Sequence, residues 1–192
     1  MTELQERIAR EGEVLPGGIL KVDSFLNHQL HPGFTLRMGE EFRSRFDNLE
    51  IGAVDKILTV ESSGIGPAFA TAAAYGVPVI FAKKSRPLTM PKSLEAIARS
   101  PTRGGQVTLH VSPEYLRRGE RILVIDDFLA SGHTVGALAQ LVTAVGGVLL
   151  GAGFVVGKTF QGGRERLAPL KIPVVSLARI REMRDSQVVF DE

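Results

Sequence analysis

Between Ile122 and Thr134 the chain reads Ile-Leu-Val-Ile-Asp-Asp-Phe-Leu-Ala-Ser-Gly-His-Thr. Four aliphatic residues run into two adjacent carboxylates, Asp126 and Asp127. A loop of small residues follows, Ala130-Ser131-Gly132-His133-Thr134, and then an apolar helix pattern. A strand, an acidic tip, a cradle of phosphate size and a helix N-terminus thus stand in order. An anion fits such a cradle because free backbone N–H groups and the helix dipole converge on it. Gly132 permits a positive φ and close backbone approach. Ser131 and Thr134 add hydroxyl donors, and His133 either adds one more or faces solvent. The two carboxylates would repel a phosphate. They suit a hydroxyl-rich, cation-developing group attached to it, and ribose 5-phosphate answers that description. Transfer at its anomeric carbon passes through an oxocarbenium-like state, which nearby carboxylates stabilise more than they stabilise the ground state. Successive strand residues face opposite ways, so both carboxylates serve only if the strand has ended before them. The alternative is that one of the two is structural.

A second turn of the same kind is Glu61-Ser62-Ser63-Gly64-Ile65-Gly66, again after a strand and before a helix. Two anion-binding turns at neighbouring strand ends suit a phosphate and a pyrophosphate held separately. The segment from Lys83-Lys84-Ser85-Arg86 to Arg103-Gly104-Gly105 is basic, poor in apolar residues and broken by proline. It reads as a mobile surface loop. Beside a polyanion site, such a loop would form a lid that neutralises pyrophosphate and excludes water, with Lys83 or Lys84 as the cation.

The elements that must position these groups alternate. A helix carries Leu4 and Ile8 on one face, with Thr2 as its cap and Gly12 as its stop. Residues 14–30 read as irregular with short extended pieces. A helix is expected over Phe34–Phe46, with Leu36, Met38, Phe42 and Phe46 near one side. Strands are expected at Asp55–Val60, Val77–Ala82, Gln106–Val111, Arg121–Asp127, Val148–Val156 and Ile172–Leu177. Helices are expected over Gly64–Tyr75, His133–Val145 and Arg164–Leu170. Alternating strands and helices predict an α/β fold, a mostly parallel sheet covered on both faces.

Composition narrows the chemistry. The 192 residues fit one domain. With 23 basic and 21 acidic side chains the chain is close to charge balance, and no basic module suggests nucleic acid. There is no cysteine, so disulfides, thiolate nucleophiles and cysteine-bound zinc are excluded. The four histidines, 28, 31, 110 and 133, have no metal-ligand spacing. No signal core or membrane-length apolar run is visible, so a cytoplasmic protein with no membrane partner is expected.

The Asp-Asp-spacer-small-Ser-Gly-x-Thr pattern resembles the phosphoribosyl-pyrophosphate signature of the type I phosphoribosyltransferases. Several segments resemble the xanthine-specific branch of bacterial purine salvage: residues 20–29 (LKVDSFLNHQ), ESSGIGPA at 61–68, RPLTM at 86–90, IDDFLASG at 125–132, VVGKTFQGG at 155–163 and SLARI at 176–180. The likeness covers nearly the whole chain in order. It implies the type I phosphoribosyltransferase fold as a single domain, with a core over roughly 33–172 and a small hood from roughly 1–32 and 173–192.

The same resemblance implies transfer of phosphoribosyl from phosphoribosyl pyrophosphate to xanthine, with magnesium carried mainly by substrate oxygens and no dedicated protein metal site. It also implies a homodimer. Leu20, Asn27 and Lys158 would contact the base, Ala130 to Thr134 the phosphoribosyl group, and Glu61 to Gly64 the pyrophosphate. The chemistry agrees: xanthine has oxygens at C2 and C6, Lys158 supplies a charged donor, and Asn27 an amide of either polarity. A lysine there would also favour loss of the base's acidic proton. Leu20 or Phe160 would sandwich the ring. Gly157 departs from the acidic residue found before this lysine in relatives. The alternatives are a hypoxanthine/guanine enzyme of the same fold and a regulator that senses phosphoribosyl pyrophosphate without turnover. A dinucleotide-binding protein lacks its Gly-x-Gly-x-x-Gly turn.

Overall fold

The chain begins with α1 (Thr2–Glu11), whose Leu4 and Ile8, one turn apart, are fully buried. Thr2 lies inside this helix, and no side chain caps it. The structure is a computed structural model and describes residues 1–99, 105–184 and 187–191. Two short strands, β1 (Glu13–Leu15) and β2 (Ile19–Lys21), pair as an antiparallel hairpin across Pro16-Gly17-Gly18. Gly17 and Gly18 both take positive φ, which explains two glycines at this tip. One wide helical turn, Asp23–Asn27, follows and buries Phe25 and Leu26.

Pro32 occupies the first turn of α2 (Pro32–Asp47), where its missing N–H costs nothing. The helix therefore starts earlier than Phe34. Phe34, Met38, Phe42 and Phe46 recur every four residues and are buried, whereas Leu36 lies off that row and is exposed. Then come β3 (Lys56–Val60), α3 (Ile65–Tyr75) and β4 (Val79–Ala82). The alanines of α3 let α2 approach until a side chain at Gly39 would strike the Ala70 backbone.

The basic segment expected as a mobile loop instead carries β5 (Leu94–Arg99), which pairs antiparallel with β6 (Gln106–Val111). Its alternation was hidden because alanines point inward, Ala96 and Ala98, while Ile97 is exposed. Reciprocal backbone hydrogen bonds between Lys83 and His110, 2.9 and 2.8 Å, tie this hairpin to the end of β4. Thr102, Arg103 and Gly104 lie outside the described residues.

β7 (Arg121–Leu129), α4 (His133–Ala144), β8 (Val148–Lys158), α5 (Gly163–Leu167), β9 (Val174–Arg184) and β10 (Gln187–Phe190) complete the chain. The helix expected to Leu170 ends at Leu167 and passes into a 3-10 turn at Ala168–Leu170. The central sheet runs β10-β9-β8-β7-β3-β4, with β3, β4, β7, β8 and β9 parallel and β10 antiparallel. Residues 174–184, expected in the hood, are a sheet strand. Arg181, Glu182 and Arg184 mask its apolar alternation beyond Ile180. The hood of this structure is α1, the β1–β2 hairpin and the turn after it, with α1 packed on β9 and β10.

Helices cover both faces. Met38, Phe42 and Phe46 cluster with Leu123, Ile125 and Val155 on one side. Leu138, Leu141 and Val142 of α4 cluster with Ile122, Val124 and Phe154 on the other. β7 thus sends alternate residues into two cores. Each fully buried Leu or Phe contributes roughly 1.5–3 kcal/mol by area. Among the parallel strands the spatial order is second, first, third, fourth, fifth. Strand order therefore reverses between β3 and β7, where open α/β sheets place their ligands.

Candidate active site

β3 and β7 pair only as far as Leu58 and Val124. Beyond that point no β3 residue pairs with β7, and a cleft of about 610 Å³ opens over the carboxyl ends of the strands. Its walls include the Glu61–Gly64 turn, Asp126 and Asp127, and the Ala130–Thr134 loop. Leu20, Asn27, Lys84 and Lys158 complete the expected set. Fifteen of the sixteen expected site residues therefore border one cavity, though they span the chain from Leu20 to Lys158. The exception is Lys83, whose ammonium lies 4.9 Å over the Phe81 ring while its backbone is bound to His110. Phe160, offered as a lid for the base, is exposed and not part of the wall.

The cradle is held open from behind. Gly132 has φ +77, and a side chain there would meet the Gly163 carbonyl. The Arg166 Nε donates to the Ser131 carbonyl at 2.8 Å, fixing the loop from α5. Ser131 Oγ and His133 Nδ1 are 2.8 Å apart. Burial, then the nearby Arg166 and Arg99, hold the His133 ring below its ordinary pKa. The amides at the start of α4 have no acceptor within the helix and face the loop. The cradle thus offers amide and hydroxyl donors beside the cationic Arg166.

The acidic pair is split. β7 continues to Leu129, so the strand has not ended before the two carboxylates, and they serve different sides of the cleft. Asp126 turns toward the second anion turn: a side chain at Gly64 would collide with both Asp126 Oδ1 and Thr59 Oγ1. Asp126 is buried, and its carboxyl is pushed well above the usual range, first by desolvation and then by the Asp127 charge; Lys84 pulls the other way. Asp127 faces the hood, where its Oδ2 accepts from Asn27 Nδ2 at 2.6 Å and its Oδ1 from the Phe128 N–H at 2.9 Å.

The second turn is anchored by Glu61, whose carboxylate accepts from the Lys84 N–H at 2.6 Å. The Glu61–Ser62 peptide is cis. At the hood end, Lys158 is buried, donates to the Gly18 carbonyl at 2.8 Å and lies 5.3 Å over the Phe128 ring. Burial holds its ammonium below the ordinary lysine value. Among the described residues it has no carboxylate partner. Gly157 before it has a packing reason, because any side chain there would overlap the Ser176 hydroxyl.

Of the wall residues missed from the sequence, three bear on the chemistry. Phe128 sits between the carboxylates and the cradle, and reads there as one more strand hydrophobe. Gly18 contributes only a carbonyl, which no side-chain pattern reveals. Arg99 closes β5, inside a segment read as loop. Among the described residues no three His, Asp or Glu side chains converge as a metal site, and no helix is long and apolar enough to cross a membrane.

Residues 35–187 match the model of the phosphoribosyl transferase domain. A xanthine phosphoribosyltransferase of Deinococcus deserti is 50% identical over 184 residues, covering 95% of this chain and 94% of that one. A xanthine phosphoribosyltransferase of Latilactobacillus sakei is 45% identical over 191 residues, covering 99% and 96%. Among solved structures, the adenine phosphoribosyltransferase of Trypanosoma brucei, in complex with AMP, pyrophosphate and ribose-5-phosphate, superposes with a TM-score of 0.75. It is 19% identical, over 92% of this chain and 79% of that one, a likeness of fold alone.

Proposed function

The chain belongs to the xanthine phosphoribosyltransferases of the phosphoribosyl transferase domain family, and from that premise we propose how its cleft divides the reaction. Phosphoribosyl pyrophosphate and xanthine give xanthosine 5'-monophosphate and pyrophosphate. The base nitrogen N9 forms a bond to the sugar C1, the bond from C1 to the pyrophosphate oxygen breaks, and the N9 proton is lost. No protein nucleophile is needed, so the protein contributes position and charge.

The cradle Ala130–Thr134 takes the 5-phosphate. Asp127 takes the ribose hydroxyls and the positive charge that grows on the ring, while Asp126, on the other side of the strand, faces the pyrophosphate turn. Glu61, Ser62, Ser63 and Gly64 take the leaving pyrophosphate, with Lys84 as its cation. Lys83 has no part in this assignment, because its side chain is turned onto Phe81. Magnesium would be carried on substrate oxygens with Asp126 and Asp127 as the nearest carboxylates, and would offset the leaving group's charge. The donor set fits that role: Asp126 is a buried carboxyl that, among the described residues, makes no ion pair and has Lys84 as its one nearby cation. Leu20 and Phe128 border the base, and Lys158 and Asn27 read its edge.

Lys158 is the observation that carries the base assignment. An ammonium buried to this degree without an anion costs free energy until something supplies one. Xanthine does so with its carbonyl oxygens and an ionisable N–H. Adenine has an amino group at C6 and no oxygen, so it would leave the charge unmet. A homodimer and a cytoplasmic location complete the proposal.

The test is pyrophosphate release from phosphoribosyl pyrophosphate and magnesium with xanthine, guanine, hypoxanthine and adenine offered singly and in competition. We expect xanthine to have the highest kcat/KM by at least roughly tenfold, the scale of one unmet polar group. A higher value for guanine or hypoxanthine would overturn the base assignment. No release with any base would overturn the catalytic one.

A further inference from the structure

Asn27 is an amide of undetermined polarity as a sequence letter, but not in this fold. Its Nδ2 lies 2.6 Å from Asp127 Oδ2. A carboxylate only accepts, so the amide must present its nitrogen to Asp127; the flipped amide would set two oxygens against each other. Among the described residues nothing donates to Asn27 Oδ1, and Asn27 is part of the cleft wall with Lys158 and Phe128. Asp127 has little freedom to let go, because its other oxygen is occupied by the Phe128 N–H at 2.9 Å. On the other side, Lys158 has one of its three donors on the Gly18 carbonyl and keeps the rest for the cleft.

We propose that Asp127 fixes the polarity of Asn27, so that the base subsite presents one set acceptor, Asn27 Oδ1, and one set donor, Lys158 Nζ. That pair selects bases whose edge carries both a ring N–H and an adjacent carbonyl oxygen, as a lactam does. Asp127 is thereby a positioning residue for the base as well as a ligand of the ribose. It links the two subsites through a single hydrogen bond between residues 100 positions apart. The inference rests on the cleft assignment above, because it takes the hood end as the base side.

The experiment exchanges the two partners. Asn27→Asp alone sets two carboxylates against each other, and the KM for xanthine should rise about 100-fold. Asn27→Asp combined with Asp127→Asn restores a donor facing an acceptor and still leaves an acceptor at position 27 for the base. The double variant should regain at least tenfold in xanthine KM over the single one, while its kcat stays low for want of the ribose carboxylate. No recovery in KM, or a loss beyond the single variant, would overturn the proposal, because an amide that donates to the base cannot be replaced by a carboxylate. Asn27→Leu gives the reference for a site with no polarity at all: it should also show raised xanthine KM, and an unchanged value would remove Asn27 from the subsite. Thermal melting of each variant separates loss of polarity from loss of fold. The wild-type assay with four bases stands apart, so a wrong base assignment and a wrong polarity are read in different experiments.

Discussion

β3 and β7 begin side by side and end apart, and charge is handled in opposite ways at their two ends. At the amino end Asp55 holds Arg121 through two side-chain hydrogen bonds of 3.0 and 2.8 Å and a third to its backbone N–H. Next to it Lys56 meets Glu120 at 2.6 Å. At the carboxyl end Asp126 of β7 is buried beside another carboxylate, and Lys158, which ends the neighbouring β8, is buried beside a carbonyl. Arg121 draws the Asp55 carboxyl down to about 2, whereas burial pushes that of Asp126 up. The contrast teaches that charges serving only the fold are matched within the chain. Charges at the cleft are left unmatched, and a ligand supplies the counterpart. The free protein is less stable for it.

The comparison breaks most visibly if the cleft end is filled. Gly132→Val forbids the positive φ and drives a side chain into the Gly163 carbonyl. Affinity for phosphoribosyl pyrophosphate should fall roughly 1000-fold, the worth of two or three charge-assisted hydrogen bonds. Retained affinity in calorimetry would place the phosphate elsewhere. Next in size, Asp127→Asn should lower kcat about 100-fold while the KM for the sugar substrate changes by less than about tenfold, because a transition-state charge loses its counterpart. Equal losses in both would assign it a ground-state role. Lys158→Ala should then raise the KM for xanthine about tenfold to thirtyfold and leave that for the sugar nearly unchanged. An unaltered base KM would take Lys158 out of the pocket.

Asp126→Asn tests the stability side of the same contrast. A carboxyl whose folded pKa is raised contributes full stability below the ordinary carboxylate range. That contribution is lost as the pH rises through the raised value. The variant carries no such loss. It should therefore melt higher than the wild type at pH 7 to 8 and show no advantage near pH 3. A variant that is less stable at every pH would show that Asp126 is matched after all.

Much of this arrangement is legible in the sequence where a local pattern carries it. The run Ile122–Thr134 announces its strand, cradle and helix because each depends on neighbours in the chain. The alanines of α3 announce close packing for the same reason. What escapes is set by partners far away. The choice of Asp127 as partner of Asn27, and of Gly18 as partner of Lys158, spans 100 and 140 positions and leaves no local mark. β5 escapes differently: its inward residues are alanines and its exposed one is Ile97, so hydrophobicity points the wrong way. Arg99 was lost with it. Lys83 and Lys84 are indistinguishable as letters. The hairpin that binds the Lys83 backbone to His110 decides which of them borders the cleft.

The smallest effect is expected at the matched end, and it has the opposite sign in pH. Asp55→Asn removes the charge opposite Arg121 and one of its two acceptor oxygens without touching the cleft. Both side chains are well exposed, 37% and 43%, so water and salt screen the pair, and the melting temperature should fall by no more than a few degrees. Because Asp55 titrates near 2 when folded, its contribution is present above the ordinary carboxylate range and fades as the pH falls toward 2. The wild type should lose its advantage over Asp55→Asn on acidification, whereas Asp126→Asn should lose its advantage over the wild type there. Steady-state kinetics should be unaltered by Asp55→Asn, since no residue of the cleft wall depends on it. If instead Asp55→Asn changed the KM for either substrate, the two ends of β3 and β7 would be coupled. The division between a matched end that folds and an unmatched end that binds would then fail.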